Sequence, residues 1–381
     1  MDYRKHIIHP ITELAENGKL TGIMLIAATF LSLLFSNSDY GTSYLKIWNT
    51  DIGFSFLHKS IMHWINDGFM AVFFLLVGLE IKRELVKGEL SSREQALLPV
   101  IAAVGGILVP TLVFYFFNRR DPETLQGWAI PTATDIAFSL GILSLLGKRV
   151  PFTLKIFLTA LAIIDDLGAI LIIAIFYTHE LHFNMILFAA LVFIILLVMN
   201  KMRVKYISFF LVAGVALWYF ILKSGIHPTV AGVLLAFSIP MNLLEDLEHK
   251  LNKPVNYLIL PLFALANTAM PVSLAQTGNL LAPLSLGIIL GLLIGKPAGI
   301  TLAAFFAVRS KFAKLPSGIE WKQIIGLGMT AGIGFTMSIF MASLSFKDES
   351  TLTLAKLAIL IGSFVSAIAG IIILRFTLNK D

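Results

Sequence analysis

Long apolar stretches recur about every 30 residues along this 381-residue chain, and short polar or turn-rich joints separate them. A helix needs about 20 apolar residues to cross a bilayer, and a lipid-facing backbone must satisfy its own hydrogen bonds. No alternation typical of a barrel with a polar lumen is visible. The pattern therefore predicts an all-α polytopic membrane protein with about twelve transmembrane helices. The predicted spans lie near residues 21–36, 58–81, 95–117, 124–146, 151–176, 183–199, 206–222, 228–240, 255–270, 284–308, 324–345 and 355–376.

Charge is scarce in this sequence, and its placement predicts an orientation. Charged residues make up 14% of the chain, whereas soluble domains carry roughly 25%. With both termini in the cytoplasm, 21 of the 29 basic residues fall on the cytoplasmic side and 7 on the outer side, as the positive-inside rule expects. The excess of basic residues on one side therefore orients the chain, and the net charge of +6 gives no support for nucleic-acid binding. The absence of cysteine excludes a disulfide scaffold, a thiolate metal site and a cysteine nucleophile.

Two segments outside the predicted spans have features of their own, within what we expect to be a single transporter domain over residues 1–381. We expect residues 1–20 to form a short interfacial helix. They do not fit a secretory signal, because Glu13 and Glu16 interrupt the apolar core that a signal needs. Residues 44–58 predict either an outer-loop β-hairpin or an irregular loop. In the hairpin, strands at 45–48 and 54–57 would flank a turn-rich segment.

Four charged side chains fall deep inside predicted spans: Asp135, Asp165, Asp166 and Lys296. Each costs about 2.5–3.5 kcal/mol at a span centre on insertion scales, so each is a candidate functional residue. The adjacent Asp165 and Asp166 point about 100° apart on a helix, yet burial and mutual repulsion should couple their protonation. Carboxylate oxygens suit hard cations. The pair therefore predicts a site where a cation and protons compete, and a salt-bridged pair that stabilises the bundle is the alternative.

Spans four and eleven contain residues that break helices. Pro131 precedes Asp135 in span four, and Gly326, Gly328, Gly332 and Gly334 lie in span eleven. A helix interrupted at mid-membrane is tolerated only where it is buried in protein or lines a watery cavity. Two such spans in corresponding halves are typical of a transporter with inverted repeats. Close packing of small residues is the alternative explanation of the glycines.

Crossing broken helices would place two positive N-termini and two negative C-termini in a medium of low dielectric constant. Asp135 would compensate the N-termini, and a lysine would compensate the C-termini. Lys296 is the lysine available inside a span. Alternatively, Lys296 would pair with Asp165 or Asp166 and release it when that carboxylate is neutralised or binds a cation.

Seven motifs together resemble a known family, over nearly the whole chain and in the expected order. They are WINDGFMAVFFLLVGLEIKREL, PTATDIAFSLGIL, LAIIDDLGAI, SGIHPTVAG, YLILPLFALAN, GKPAGI and TAGIGFTMSIF. The sequence is similar to the NhaA-type sodium/proton antiporters of bacterial inner membranes. The resemblance implies twelve helices with inverted three-helix repeats at 95–176 and 284–376, whose fourth and eleventh helices unwind and cross. It also implies an outer-loop hairpin that mediates homodimerisation.

The resemblance further implies an activity: electrogenic export of cytoplasmic Na⁺ or Li⁺ in exchange for external protons, regulated by pH, with no enzyme activity and no cofactor besides the transported ions. It makes Asp166 the principal sodium ligand and proton carrier, and Asp165 its essential neighbour. Thr134 and Asp135 lie beside the site on the broken fourth helix. Lys296 is expected to support this assembly and to pair with Asp165.

The family's pH response maps to the cytoplasmic ends of two spans: Glu80, Arg83, Glu84, Glu248 and His249. An ordinary charged helix end is the alternative. The sequence departs from the family pattern at Asn252, where a second histidine is expected. His227 titrates in the physiological range, and we expect it either to modulate the pH response or simply to terminate a turn.

Two other classes of function also place charged residues inside a membrane: intramembrane proteases, and symporters or channels. An intramembrane aspartyl protease needs two aspartates on facing helices, one of them in a Gly-x-Gly-Asp setting. No aspartate here follows Gly-x-Gly, and the key pair is adjacent on one helix. A proton-coupled symporter of an organic solute, or a channel, differs from an antiporter in one observable, because antiport moves protons in response to sodium alone.

Overall fold

The structure is a computed structural model that describes residues 9–54, 57–178, 180–272 and 279–378, and these are predominantly helical. In the first part of the chain the elements are α1 (His9–Ser36), α2 (Gly41–Trp48), β1 (Asp51–Phe54), β2 (Leu57–Ser60), α3 (Ile61–Val86), α4 (Arg93–Asn118), α5 (Pro122–Thr132), α6 (Ile136–Leu145) and α7 (Phe152–Phe176). They continue with α8 (Phe183–Lys201), α9 (Ile207–Ser224), α10 (Thr229–Ser238), α11 (Met241–Pro254), α12 (Leu260–Asn267), α13 (Pro283–Arg309), α14 (Trp321–Ala331), α15 (Phe335–Ser345) and α16 (Glu349–Thr377).

Eight of the described helices are long and apolar enough to cross a membrane, and the number rises to ten if each of two bent helix pairs counts as one span. The pairs are α5 with α6, bent by 46°, and α14 with α15, bent by 47°. Helix α10 is apolar but has only 10 residues, in line with the short eighth predicted span. The predicted helical, multi-span architecture is thus confirmed, while the count of twelve stays a prediction.

The chain divides into two compact units, and the first contains residues 87–169, residues 272–381 and the chain up to residue 26, so far as these are described. Its core is apolar and fully buried, with Leu143, Leu158 and Ile300 among the side chains that pack together. Helix α13 of this unit contains a π-helical segment, Gly291–Gly295, directly before Lys296. Pro297 has no N–H to give the carbonyl four residues back, so the hydrogen-bond ladder is irregular where Lys296 projects.

The second unit contains residues 27–86 and 170–271, so far as these are described. Leu79, Phe210 and Leu235 are buried in its core. Helix α3 of this unit begins with a π-helical segment at Trp64–Phe69. A second segment of this kind, Val255–Ile259, joins α11 to α12.

A β-hairpin is present in the predicted outer loop, but the predicted strand positions are wrong. Strand β1 pairs antiparallel with β2 in the register Asp51↔Ser60 to Phe54↔Leu57, so the connection falls at residues 55–56, which lie outside the described part. Residues 45–48, predicted as a strand, belong to helix α2. Gly53 has φ +130°, and a Cβ there would lie 2.2 Å from the Leu57 carbonyl oxygen. Gly53 therefore belongs to the paired strand, where only glycine fits, and not to the turn.

The first helix also differs from the prediction. Helix α1 is continuous from His9 to Ser36, so the segment predicted as a separate interfacial helix over residues 1–20 continues into the first span. Pro10 is tolerated because the first turn of a helix has no intrahelical use for its missing N–H. Residues 1–8 lie outside the described part of the chain.

Candidate functional site

The two bent helix pairs of the first unit are joined to each other at their breaks. The Asp135 N–H donates to the Ile333 carbonyl at 2.7 Å. The Ser338 hydroxyl donates to the Ile130 carbonyl at 2.7 Å, and the Ser139 hydroxyl donates to the Thr330 carbonyl at 2.8 Å. A helix break leaves backbone groups without intrahelical partners. Here the side chains and backbone of one broken pair satisfy those of the other.

The glycines of the predicted eleventh span serve close approach. Gly332 has φ −69°, a conformation open to any residue. A Cβ on Gly332 would lie 2.4 Å from the Leu292 carbonyl oxygen, so a side chain there would force α13 away from the break. At Gly332 both explanations of the glycines therefore apply: the residue allows close packing against α13, and it lies at the helix break.

Asp135 accepts hydrogen bonds from the N-termini of both second half-helices. One carboxylate oxygen accepts from the Phe138 N–H at 3.0 Å, in the first turn of α6. The other accepts from the Thr336 N–H at 3.1 Å and from the Thr336 hydroxyl at 2.5 Å, in the first turn of α15. The side chain is buried. An anion in this position satisfies orphan N–H donors and faces the positive ends of two helix dipoles.

Asp165 and Lys296 form a fully buried ion pair. The Lys296 Nζ lies 2.7 Å from Asp165 Oδ2, and neither side chain is exposed to solvent. The Lys296 ammonium also donates to the Thr132 carbonyl at the C-terminus of α5. Both roles that the sequence left open for Lys296 are therefore combined, since it pairs with Asp165 and caps the negative end of a broken helix.

Thr134 is the second donor to Asp165. Its hydroxyl lies 2.7 Å from Asp165 Oδ2 and 2.9 Å from the Ala331 carbonyl oxygen, at the C-terminus of α14. A hydroxyl has one proton to donate, so Thr134 can serve only one of these acceptors at a time.

The remaining oxygen of Asp165, Oδ1, is buried and has no hydrogen-bond partner in the described part of the chain. Asp166, the next residue of α7, is 3% exposed. Buried carboxylate oxygens are normally satisfied, so an unsatisfied one beside a second carboxylate indicates a place for a cation or a proton. No cluster of three or more His, Cys, Asp or Glu side chains suited to a metal occurs among the described residues.

The predicted pH-response residues lie in the second unit, and the structure brings three of them together. Arg83 Nε lies 3.1 Å from both carboxylate oxygens of Glu248, and Arg83 Nη1 lies 3.1 Å from Glu84 Oε1. Glu80 is buried on the same helix as Arg83, whereas His249 is exposed. Burial raises the pKa of Glu248, and the attraction of Arg83 offsets this only in part.

His227 lies before α10, also in the second unit. Its Nδ1 is 2.8 Å from the Thr229 hydroxyl oxygen, and its Nε2 is 3.7 Å from Asp67 Oδ1. The first contact belongs to the turn that begins α10. The second places the imidazole near a carboxylate, with which it would form an ion pair only in its protonated form.

One residue of the site was not predicted from the sequence. The N–H and the hydroxyl of Thr336 both donate to Asp135, but the sequence pattern did not single out Thr336.

These features define a class of protein: a multi-pass membrane protein with two bent helix pairs, hydrogen-bonded to each other at their breaks, beside a buried aspartate pair and a lysine. Comparison with known sequences identifies the family. The sequence model described as "Na+/H+ antiporter 1" matches residues 12–374, and the chain belongs to this family of Na⁺/H⁺ antiporters. The resemblance to NhaA-type antiporters is thus confirmed.

Individual relatives agree with this assignment. The Na(+)/H(+) antiporter NhaA 2 of Flavobacterium johnsoniae is 50% identical over 370 residues, which cover 94% of this chain and 90% of the relative. The Na(+)/H(+) antiporter NhaA of Haemophilus ducreyi is 48% identical over 94% of this chain and 95% of its own length. That of Haemophilus influenzae is 47% identical, with 93% and 92% covered.

Proposed function

We propose that this protein exports cytoplasmic Na⁺, or Li⁺, in exchange for external protons, electrogenically and under control of pH, and so serves sodium and pH homeostasis. The observation that carries the proposal is the state of the Asp165 carboxylate. One of its oxygens is held by Lys296 and Thr134, and the other has no partner in the described part of the chain. Asp166 lies beside it, where the two broken helix pairs meet.

In this proposal Asp166 is the principal sodium ligand and proton carrier, and Asp165 is its essential neighbour. Carboxylate, hydroxyl and carbonyl oxygens are the ligands that hard cations prefer. Such oxygens are available here from Asp165 Oδ1, Asp166, the Thr134 hydroxyl and nearby backbone carbonyls. Asp135 holds the half-helices in place beside the cation and does not need to bind it directly.

In this proposal Lys296 and the cation compete for the Asp165 carboxylate. A cation at Asp165 opposes the attraction between Asp165 and the Lys296 ammonium, because both positive charges need the same carboxylate. Binding of Na⁺ therefore weakens the ion pair, and release of Na⁺ restores it. If more protons enter than Na⁺ ions leave, net positive charge moves inward in each cycle, and the exchange responds to the membrane potential.

The wider architecture is proposed from the order of the helices and from membership of the antiporter family. We place the protein in the bacterial inner membrane with both termini in the cytoplasm, as twelve spans with inverted repeats at 95–176 and 284–376. Each of these segments has a long helix, a bent pair and a second long helix in the same order. The β1–β2 hairpin would join two copies in a homodimer. The pH response would be set by six residues: Glu80, Arg83, Glu84, His227, Glu248 and His249.

Sodium-driven proton movement in everted membrane vesicles tests the proposal. Added Na⁺ should collapse a preformed pH gradient with no organic solute present, and Asp166→Asn should abolish this response. Asp246→Asn is the matched control, because Asp246 is exposed and pairs with Lys250. Exchange by Asp166→Asn at the wild-type rate would contradict the assignment. A rate that is unchanged when the membrane potential is clamped or varied would contradict electrogenic exchange.

A further inference from the structure

A cavity of about 600 Å³ opens in the first unit where α4 ends and α16 begins. Its apolar walls include Phe116, Leu284 and Leu354. Its charged lining consists of Arg119, Arg120 and Asp121, which directly follow α4. This cavity, here called the Arg119 cavity, contains none of the residues assigned above to ion exchange.

The apolar side of the Arg119 cavity continues into a stripe of exposed side chains on α4. Leu108, Leu112 and Phe116 are 56%, 63% and 65% exposed and lie four residues apart. Side chains at this spacing share one face of a helix. In a membrane-spanning helix such a face is covered by acyl chains. A lipid chain that follows this stripe reaches the cavity at the end of the span.

The arginines give the cavity a place for a phosphate group. Both are exposed, and a guanidinium matches the geometry of phosphate oxygens with paired N–H donors. The Arg119 guanidinium carbon lies 5.5 Å from the centroid of the Phe116 ring, so the charged group is held against the apolar wall. These residues fall on the predicted outer side, where basic residues are few, so the orientation of the chain does not account for them.

Acidic groups at the same place oppose a purely anionic ligand. Asp121 lines the cavity, and one of its carboxylate oxygens accepts from the Glu123 N–H at 3.0 Å. The hydroxyls of Ser350 and Thr351, also in the lining, donate to Asp348 at 2.5 and 2.8 Å. The hydrogen bonds from these two residues lower the pKa of Asp348 to about 2, so it is ionised at neutral pH. The cavity thus presents both signs of charge.

We propose that the Arg119 cavity binds a zwitterionic phospholipid with a primary ammonium group, of the ethanolamine type. Arg119 and Arg120 hold the phosphate, Asp121 accepts hydrogen bonds from the ammonium, and one acyl chain lies on Leu112 and Phe116. A choline headgroup lacks the ammonium N–H donors, and a glycerol headgroup lacks the positive charge. The site therefore prefers ethanolamine lipid over both.

Native mass spectrometry of the purified full chain tests this, with phosphatidylethanolamine, phosphatidylcholine and phosphatidylglycerol supplied separately in detergent. We expect ethanolamine lipid to bind most strongly. Arg119→Gln/Arg120→Gln should weaken its binding about fivefold for each arginine removed. Lys46→Gln/Lys223→Gln is the matched control, since it removes the same charge from exposed residues predicted on the same side, and it should leave ethanolamine lipid binding unchanged.

Two further variants separate recognition from folding. Arg119→Lys/Arg120→Lys keeps the charge but loses the paired N–H donors, so its binding should fall between that of the wild type and that of Arg119→Gln/Arg120→Gln. Asp121→Asn keeps a residue suited to cap the following turn and should remove the preference for ethanolamine over choline lipid. Equal binding of the three lipids by the wild-type chain would overturn the proposal. So would an equal loss in the Lys46/Lys223 control, or equally strong binding of soluble glycerophosphoethanolamine, which has no acyl chain.

Discussion

Replacing Asp135 with alanine should destabilise the protein by about 4 kcal/mol, because one side chain caps two helices. Loss of a capping side chain costs about 1 kcal/mol per helix. Loss of a buried anion at a helix N-terminus costs up to about 1 kcal/mol more for each of the two dipoles. The three hydrogen bonds that Asp135 accepts, from Phe138 and Thr336, account for these contributions. Asp135→Asn keeps one acceptor oxygen and loses the charge, so we expect about half the loss.

Unfolding in mixed detergent micelles, followed by circular dichroism, measures these differences. Asp348→Ala is the matched control. Asp348 caps α16 through the Thr351 N–H at 2.8 Å, but it is exposed and serves a single helix. Its loss should be clearly smaller than that of Asp135→Ala. If the two alanine variants lose equal stability, or if Asp135→Asn is as stable as the wild type, the double-capping argument is wrong.

Three other predictions address separate groups. Lys296→Arg replaces a group that can titrate with one that stays charged, so the pH profile of exchange should shift, and an unchanged profile would remove Lys296 from the titrating groups. Because burial raises the pKa of Glu248 above its ordinary value of 4.5, its contribution to stability is present below that value and is lost as pH rises. The melting temperature of Glu248→Gln relative to wild type should therefore increase with pH, and a difference that does not change with pH would contradict this. Thr159→Val should stabilise the fold by about 1 kcal/mol, since the buried Thr159 hydroxyl has no hydrogen-bond partner among the described residues; Thr268→Val, which removes a buried hydroxyl bonded to a carbonyl at 2.7 Å, should show no such gain.

The centre of the site could be predicted from the sequence because charge inside a membrane span is costly. Asp135, Asp165, Asp166 and Lys296 were recognisable for that reason, and the structure buries all four. Pro131 and the glycines of span eleven likewise indicated the two breaks. Pairing was harder to predict. The sequence allowed Lys296 either to bind an aspartate or to cap a helix. In the structure it does both, because Asp165 and the Thr132 carbonyl lie within reach of the same ammonium group.

The failures came from features that single-sequence patterns do not encode. The hairpin strands were misplaced because residues 45–48 are apolar enough for a strand. In the structure they belong to helix α2, whose Tyr44 hydroxyl donates to the distant Leu265 carbonyl. Thr336 had no distinguishing signal, since its role depends on a hydrogen bond to Asp135, 201 positions away in the chain.

The arrangement around Asp165 connects this carboxylate to both helix breaks. Its two donors, Lys296 and Thr134, are shared with the C-terminal carbonyls of the two first half-helices, those of Thr132 and Ala331. The Lys296 ammonium has three N–H donors and reaches Asp165 and the Thr132 carbonyl together, whereas the single Thr134 proton can serve either Asp165 or the Ala331 carbonyl. On the proposed mechanism, a cation or a proton at Asp165 weakens its attraction for both donors, so the Thr134 proton moves to the Ala331 carbonyl and the Lys296 ammonium interacts more closely with the Thr132 carbonyl. On this mechanism the charge state of one carboxylate affects the hydrogen bonding at the ends of both α5 and α14. This requires the two breaks to meet at Asp165, which is why neither break could serve this purpose alone.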